Sequence, residues 1–99
     1  MATEKERVVE ILEGLSEVRD YPMMGDYVVY CRERAVGCIC DGNLFVKITP
    51  SSRRLLEGAP ELPPYVGAKP RYLVEDTDKA FLQELLFSVA EEVPAPKRK

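Results

Sequence analysis

Three cysteines are the residues of this sequence best suited to chemistry. Cys38 and Cys40 are separated by one residue, and Cys31 lies shortly before them. Alternate side chains of a β-strand share a face, so Cys38 and Cys40 come within about 7 Å of each other if this segment is a strand. Paired thiols can bind a soft metal or act as a redox sensor. Zinc would need four ligands, and three thiols without histidine or paired CxxC motifs do not supply them. Because cysteine is among the most frequently buried residue types, we interpret all three as structural and expect no metal and no other cofactor.

The rest of the sequence lacks the usual catalytic residues. There is no histidine, which excludes the commonest general base and the Ser-His and Cys-His nucleophile pairs. The GxxxxGK[ST], GxGxxG and GxSxG motifs are absent. Carboxylate pairs fall at predicted turns, helix starts and exposed helix positions, where acidic residues usually serve as caps or contact solvent. These pairs are Asp20/Asp26, Glu75/Asp76/Asp78 and Glu91/Glu92. We therefore expect a protein that is not an enzyme.

One further arrangement resembles an anion site. Ser51 and Ser52 stand at a predicted helix start beside Arg53 and Arg54, and a helix start favours negative charge. The better interpretation is a helix cap with solvated charges, because serine is a preferred capping residue.

The N-terminal third predicts a helix and then a connection. The helix has an apolar stripe, a capping pair in Thr3 and Glu6, and a weak centre at Gly14, where we expect a break or a bend. Residues 19–25 are interpreted as a connection with room for a short strand around Tyr21, and Pro22 argues against a central strand. The stripe consists of Val8, Ile11, Leu12, Leu15 and Val18.

Residues 27–31, 36–40 and 44–48 predict a three-stranded antiparallel meander. Asp41-Gly42 is the strongest turn signal, because a type I′ hairpin turn needs positive φ at both central positions. We predict Glu33-Arg34 as the other two-residue turn. These turns place six residues on the face toward the helices: Val28, Tyr30, Ile39, Leu44, Val46 and Ile48. The opposite face, which also carries Lys47, is predicted as an apolar interaction face formed by Tyr27, Val29, Cys31, Val36, Cys38, Cys40 and Phe45.

The second half predicts two more helices around a strand. Thr49, Pro50 and Gly58 delimit a short helix, anchored by Leu55 and Leu56. The proline-rich residues 59–70 form a loop or an extended segment, and residues 71–74 form a strand. Asp76 or Thr77 caps the last helix, and Pro94 ends it. Eight residues are predicted to join the helices to the sheet: Val8, Ile11, Leu12, Leu15, Phe81, Leu82, Leu85 and Leu86.

These elements indicate one α+β domain over residues 1–94. It has two layers, an antiparallel sheet with helices packed on one face, and it is followed by a basic disordered tail, 95–99. Without Lys97, Arg98 and Lys99, 11 basic residues face 17 acidic ones, a net charge of −6, which disfavours nucleic-acid binding. No apolar run reaches the roughly 20 residues that span a membrane. The N-terminus has no signal-peptide core, so we expect no membrane association and a cytoplasmic protein.

Several motifs in sequence order resemble the N-terminal domain of the TfoX/Sxy family. Residues 23–30 resemble its opening motif, Met-Phe-Gly-Gly-Tyr-Gly followed by an aliphatic residue and Tyr, with Met24, Asp26 and Val28 as departures. Residues 41–47 are similar to its acidic turn and lysine-ended strand. Residues 65–70 resemble its Tyr-x-Gly-x-Lys-Pro loop, and residues 91–99 resemble the Glu-Leu-Pro-x-Pro-Lys tail of short stand-alone members.

This resemblance implies a small two-layer domain similar to the secretion-chaperone architecture. It supplies no established catalytic residues. The longer competence regulators of this family carry a second domain, so their role in DNA uptake does not transfer to a single domain.

We therefore expect a regulatory or protein-interaction module of a bacterial cytoplasm. Its partner would be a protein, with a second copy of the chain as one option, on the interaction face defined above. Tyr65, Gly67 and Lys69 are candidates for a loop rim beside a ligand. The alternative is a nucleic-acid-binding accessory domain that uses the basic tail and four arginines: Arg32, Arg34, Arg53 and Arg54.

Overall fold

A computed structural model describes residues 4–23, 25–76 and 78–93. The elements are α1 (Lys5–Leu12), β1 (Val18–Met23), β2 (Asp26–Cys31), β3 (Arg34–Cys40), β4 (Asn43–Val46), α2 (Pro50–Leu55), β5 (Glu61–Leu62), β6 (Arg71–Val74) and α3 (Lys79–Glu92). This is the predicted α+β class. The predicted roles of Thr3, Thr77 and Pro94, and the predicted tail 95–99, lie outside the described residues.

The strands form one six-stranded sheet in the order β1-β2-β3-β4-β6-β5, and every pair is antiparallel. The predicted meander is therefore part of a larger sheet. Residues 19–25 were expected to be mainly a connection, but residues 18–23 form the six-residue edge strand β1. Pro22 is tolerated there because an edge strand has one side without ladder hydrogen bonds.

The two tight turns have opposite outcomes. Asp41 and Gly42 have φ values of 53° and 79°, and Cys40 pairs with Asn43, so the predicted hairpin is confirmed. The turn predicted at Glu33-Arg34 is wrong. The positive φ values are at Arg32 (52°) and Glu33 (65°), and Cys31 pairs with Arg34. A register shift between Val29 and Tyr30 follows in the same hairpin.

The register shift, and not the displaced turn, exchanges the two faces of β2 relative to the prediction. Moving a two-residue turn by one residue changes the pairing by two positions and keeps each side chain on its face, whereas the shift changes the pairing by one. Val29 and Cys31, with Val36 of β3, are fully buried in the core beneath the helices. Val28 and Tyr30, which were predicted to join that core, lie on the other side of the sheet. The physical reason is the period of two along a strand, since a slip of one residue moves every side chain to the opposite face.

The core confirms the predicted contact between helices and sheet. Ile39, Leu44 and Val46 are at most 3% exposed. The eight predicted helix-layer residues all belong to this core or pack against it. Helix α1 ends at Leu12, and Gly14 follows with a φ of 86°, so the expected break is confirmed and Val18 belongs to β1.

Polar contacts hold the helices together. Lys79 Nζ donates to the carbonyl oxygens of Glu10 (2.6 Å) and Ile11 (2.7 Å), in the last turn of α1. Asp78, rather than Asp76, caps α3 by accepting a hydrogen bond from the Phe81 N–H. The Arg34 guanidinium donates to the Ala90 carbonyl (2.9 Å), where a cation complements the negative end of a helix.

Helix α2 is capped as predicted and is bound to α3. Thr49 and Ser52 form a reciprocal capping box before and within the helix, and Pro50 occupies the first turn. The Ser51 N–H and hydroxyl donate to the Glu92 carboxylate at 2.9 and 2.6 Å. The anion at this helix start is therefore a side chain of the protein itself. None of the helices in the described ranges is long and apolar enough to cross a membrane.

Gly37 marks a close approach between strands. It pairs with Val46, and a Cβ atom at this position would collide with the Phe45 carbonyl oxygen. We expect Gly37→Ala to lower the free energy of unfolding by roughly 3 kcal/mol, because the sheet backbone must shift to admit the methyl group. Chemical denaturation measures this.

Gly58→Ala is the matched control. Gly58 has a φ of 85°, but a Cβ there meets no atom within 4 Å, so only the conformational cost of about 1 kcal/mol applies. Equal unfolding midpoints for the two variants would contradict the close approach at Gly37.

Candidate functional site: a groove on the open sheet face

The sheet face turned away from α1 and α3, which we call the open face, holds a groove. Its cavity volume is about 590 Å³. Strands β1 to β3 form most of it, and Lys47, Tyr65 and Arg71 complete its lining. A second apolar cluster lies on this face, with Cys38, Cys40 and Phe45 buried and Leu73 packed against them. The groove thus has an apolar floor and a polar margin.

The structure divides the residues of the predicted interaction face between the two sides of the sheet. Cys38, Cys40 and Phe45 lie on the open face as expected. Tyr27 lines the groove and also packs against the core under the helices. Val29, Cys31 and Val36 are instead in that core, because the register shift between Val29 and Tyr30 moves the β2–β3 pairing by one residue. Their places in the groove are taken by other residues: Tyr21, Met23, Asp26, Val28, Tyr30 and Ala35.

The Cys38 and Cys40 thiols are in contact at the floor of the groove. The Cys40 Sγ donates to the Cys38 Sγ at 3.5 Å, and both cysteines are free. Burial, together with the adjacent Cys38, raises the pKa of Cys40 to about 12. Burial also raises the pKa of Cys38, although the hydrogen bond from Cys40 and the Arg71 guanidinium oppose this shift. Both groups are therefore thiols at neutral pH and weak nucleophiles.

Lys47 and Arg71 bring two positive charges to one end of the groove. Val46 pairs with Tyr72, so the next position along each strand places Lys47 beside Arg71. Burial lowers the pKa of Lys47, and the Arg71 charge lowers it further. Within the described ranges neither cation forms an ion pair with a carboxylate, whereas Lys5, Arg19 and other surface cations do. These two charges are available to a ligand.

The groove carries less negative charge than positive charge. Asp26 is the one carboxylate among its described lining residues, and its side chain accepts a hydrogen bond from the Asp41 N–H at 3.3 Å. No group of three or more His, Cys, Asp or Glu residues in the described part of the chain is arranged to hold a metal ion.

Half-exposed aromatic and sulfur side chains form the rim. Tyr21, Met23 and Tyr65 are 55%, 50% and 58% exposed. Tyr65 comes from the proline-rich loop whose residues were proposed as a rim. Gly67, with a φ of 90°, and the exposed Lys69 belong to the same loop but are not among the residues that line the groove.

The four arginines of the alternative hypothesis lie elsewhere. Arg32 pairs with Glu17 and lies over the Phe87 ring, and Arg34 is bonded to the end of α3. Arg53 and Arg54 are exposed on α2, which packs with α3 in the helix layer. Two of the four are thus engaged in structural contacts.

Sequence reasoning missed two parts of this site. Alternation along the strand placed Lys47 on the open face, but nothing local indicated that Arg71 would lie beside it, since β4 and β6 are far apart in sequence. The register shift between Val29 and Tyr30, which has no local sequence signal, places Tyr30 and Val28 in the groove and not in the core. The β2–β3 turn was also misplaced by one residue, because Arg32 and Glu33 carry no Asn-Gly or Asp-Gly signal.

Comparison with known proteins gives one informative match. No model of a known protein family matches the chain. The "uncharacterized 12.7 kDa protein in trpE 5′ region" of Spirochaeta aurantia is 35% identical over 82 residues. The aligned part is 81% of this chain and 71% of that protein, so the similarity extends over most of both.

We expect the three thiols of the native protein to react slowly with iodoacetate at neutral pH. Burial raises the pKa of each, so less thiolate is present than in free cysteine. The rate should still increase with pH above the ordinary cysteine value of 9.0. Intact-mass spectrometry follows the alkylation, and the denatured protein provides the reference. One cysteine that reacts faster than free cysteine would contradict this and indicate a thiol-dependent activity.

Lys47→Met should stabilise the fold by about 0.5 kcal/mol at neutral pH, because it removes a half-buried charge next to Arg71. Solvent screens this charge in part, which keeps the gain small. The pKa of Lys47 is depressed, so the wild-type protein regains this stability as the pH rises towards 10.5 and the amine loses its proton. The advantage of the variant should therefore shrink with rising pH in denaturant titrations. An advantage that grows with pH would show the opposite sign of the shift.

Proposed function

The chain belongs to the same family as the uncharacterized 12.7 kDa protein of Spirochaeta aurantia, and we propose that it is a non-enzymatic protein-interaction module. Its groove binds an apolar, acidic segment of a partner protein. The observation that carries this proposal is the pair of cations, Lys47 and Arg71, without a carboxylate partner in the described structure, at the end of an otherwise largely apolar groove.

The charge of the groove selects the ligand. The described lining of the groove carries two cations, Lys47 and Arg71, and one carboxylate, Asp26, so its charge is opposite in sign to the net charge of −3 of the protein. Complementary charges raise the rate of encounter with an acidic partner and penalise a basic one. A carboxylate that reaches Lys47 and Arg71 also relieves the repulsion between them, which adds to the affinity.

The shape of the groove favours a chain segment over a small molecule. Small-molecule sites enclose 70–90% or more of their ligand's surface as a rule. Here Tyr21, Met23 and Tyr65 remain at least half exposed along the rim. Tyrosine and methionine are enriched at protein interfaces, where they contribute large contact areas.

A second copy of the chain is a weaker candidate for the occupant. In a two-fold dimer the same patch meets itself, so the groove would face another groove. Lys47 and Arg71 are close to each other and outnumber the single carboxylate, Asp26, so two such grooves would repel.

Two properties support a regulatory role in the cytoplasm. The three cysteines are free, as is usual in a reducing compartment. The resemblance of its sequence motifs to TfoX/Sxy N-terminal domains implies a regulatory protein. The groove also offers no activated nucleophile, because both of its thiols are protonated at neutral pH.

Selection of short random peptides on the immobilised protein tests the proposal. We expect the enriched peptides to carry aspartate or glutamate beside aliphatic or aromatic residues. The double variant K47M/R71M should bind a selected peptide at least about tenfold more weakly, because a close charge pair across an interface is worth about 1.5 kcal/mol or more.

The control variant is R53M/R54M. It removes the same two charges from exposed positions on α2 in the helix layer, and it should bind as the wild-type protein does. Enrichment of basic peptides, or equal binding by K47M/R71M, would refute the proposal. Salt-sensitive DNA binding that is lost in R53M/R54M would favour the nucleic-acid alternative.

A further inference from the structure

The thiol pair on the floor of the groove offers two sulfur ligands that the proposed partner segment does not need. Cys38 and Cys40 stand on one face of one strand, and their sulfur atoms are 3.5 Å apart. Both side chains line the groove, which gives a small ion a path to them. We propose that these two sulfurs form a binding site for a single Cu(I) ion.

The ligand set determines which metal fits. Zinc in a structural site requires four ligands, and the described residues contain no cluster of three or more His, Cys, Asp or Glu. This leaves an ion that is satisfied by two or three soft ligands. Thiolate and thioether sulfur favour Cu(I) among the biological metals. Met23 lines the same groove, and its thioether would be the third ligand in a three-coordinate complex.

The two cations of the groove compensate the negative charge of the copper complex. One Cu(I) ion and two thiolates carry a net charge of −1, which would be unfavourable on the floor of an apolar groove. Arg71 lies close enough to Cys38 to stabilise negative charge on its sulfur, and Lys47 lies beside Arg71. The same two cations that attract an acidic segment thus also neutralise the copper complex.

Copper binding exchanges the two thiol protons for one Cu(I) ion and involves no electron transfer. Each thiol loses its proton to the buffer, two Cu–S bonds form, and copper remains in the Cu(I) state throughout. Because bound copper replaces two protons, its apparent affinity increases with pH.

Competition with a chromophoric Cu(I) chelator, bicinchoninate, tests the site under anaerobic conditions with ascorbate. The full chain should remove one Cu(I) equivalent from the chelator. Cys38→Ser and Cys40→Ser should each weaken binding by more than about 100-fold, beyond the loss expected for an outer-shell residue.

Cys31→Ser is the matched control, since Cys31 is fully buried on the opposite face of the sheet and should leave copper affinity unchanged. X-ray absorption of the wild-type complex provides a measurement that does not depend on folding of the variants. It should show two or three sulfur atoms around copper.

Three results would overturn the proposal: no competition with the chelator, full affinity in Cys38→Ser or Cys40→Ser, or a copper shell of nitrogen and oxygen. None of these depends on the partner proposed above. Loss of copper binding in Cys38→Ser with retained peptide binding would separate the two functions.

Discussion

The register between β2 and β3 is the constraint on which the rest of the structure depends. It is set by the one-residue shift between Val29 and Tyr30 and by a two-residue turn in which Arg32 and Glu33, both non-glycine residues, adopt positive φ, at a cost of about 1 kcal/mol each. Contacts outside the turn compensate for this. The Arg32 N–H donates to the Glu17 carbonyl at 2.9 Å, the Arg32 guanidinium lies 4.2 Å from the centre of the Phe87 ring, and Glu33 pairs with Arg19. The turn is thus held by residues 17–19, at the start of β1, and by α3.

Both sides of the sheet follow from this register. The alternation of side chains sends Val29 and Cys31 under the helices and Val28 and Tyr30 into the groove. The shift at Val29/Tyr30 lets Val36 and Ile39, which are three positions apart on β3, both face the core, while Ala35 and Cys38 line the groove. A slip of one residue would bury Tyr30 and expose Val29, so the groove and the core are specified together.

The parts of the fold that were predictable from sequence are those with local causes. Asp41-Gly42 identifies its hairpin because glycine and aspartate tolerate positive φ, and Thr49-Pro50 identifies the start of α2 because both residues suit a helix N-terminus. The arginine and glutamate of the other turn carry no such preference, since their conformation is imposed by tertiary contacts. The same distinction applies to the groove. Alternation along one strand brings Cys38 and Cys40 together, but the position of Arg71 depends on pairing between β4 and β6 across the intervening helix and loop.

The edges of the sheet influence how this chain behaves at high concentration. An unpaired strand edge is a template on which further chains can add, and such growth leads to fibrils. Here one edge is β1, where Pro22 has no N–H to offer an incoming strand, and the other is β5, which is two residues long. Neither edge can support a long ladder, so the chain is protected against polymerisation even though one broad side of its sheet carries no helix. This protection lets the domain keep an uncovered sheet face at high protein concentration.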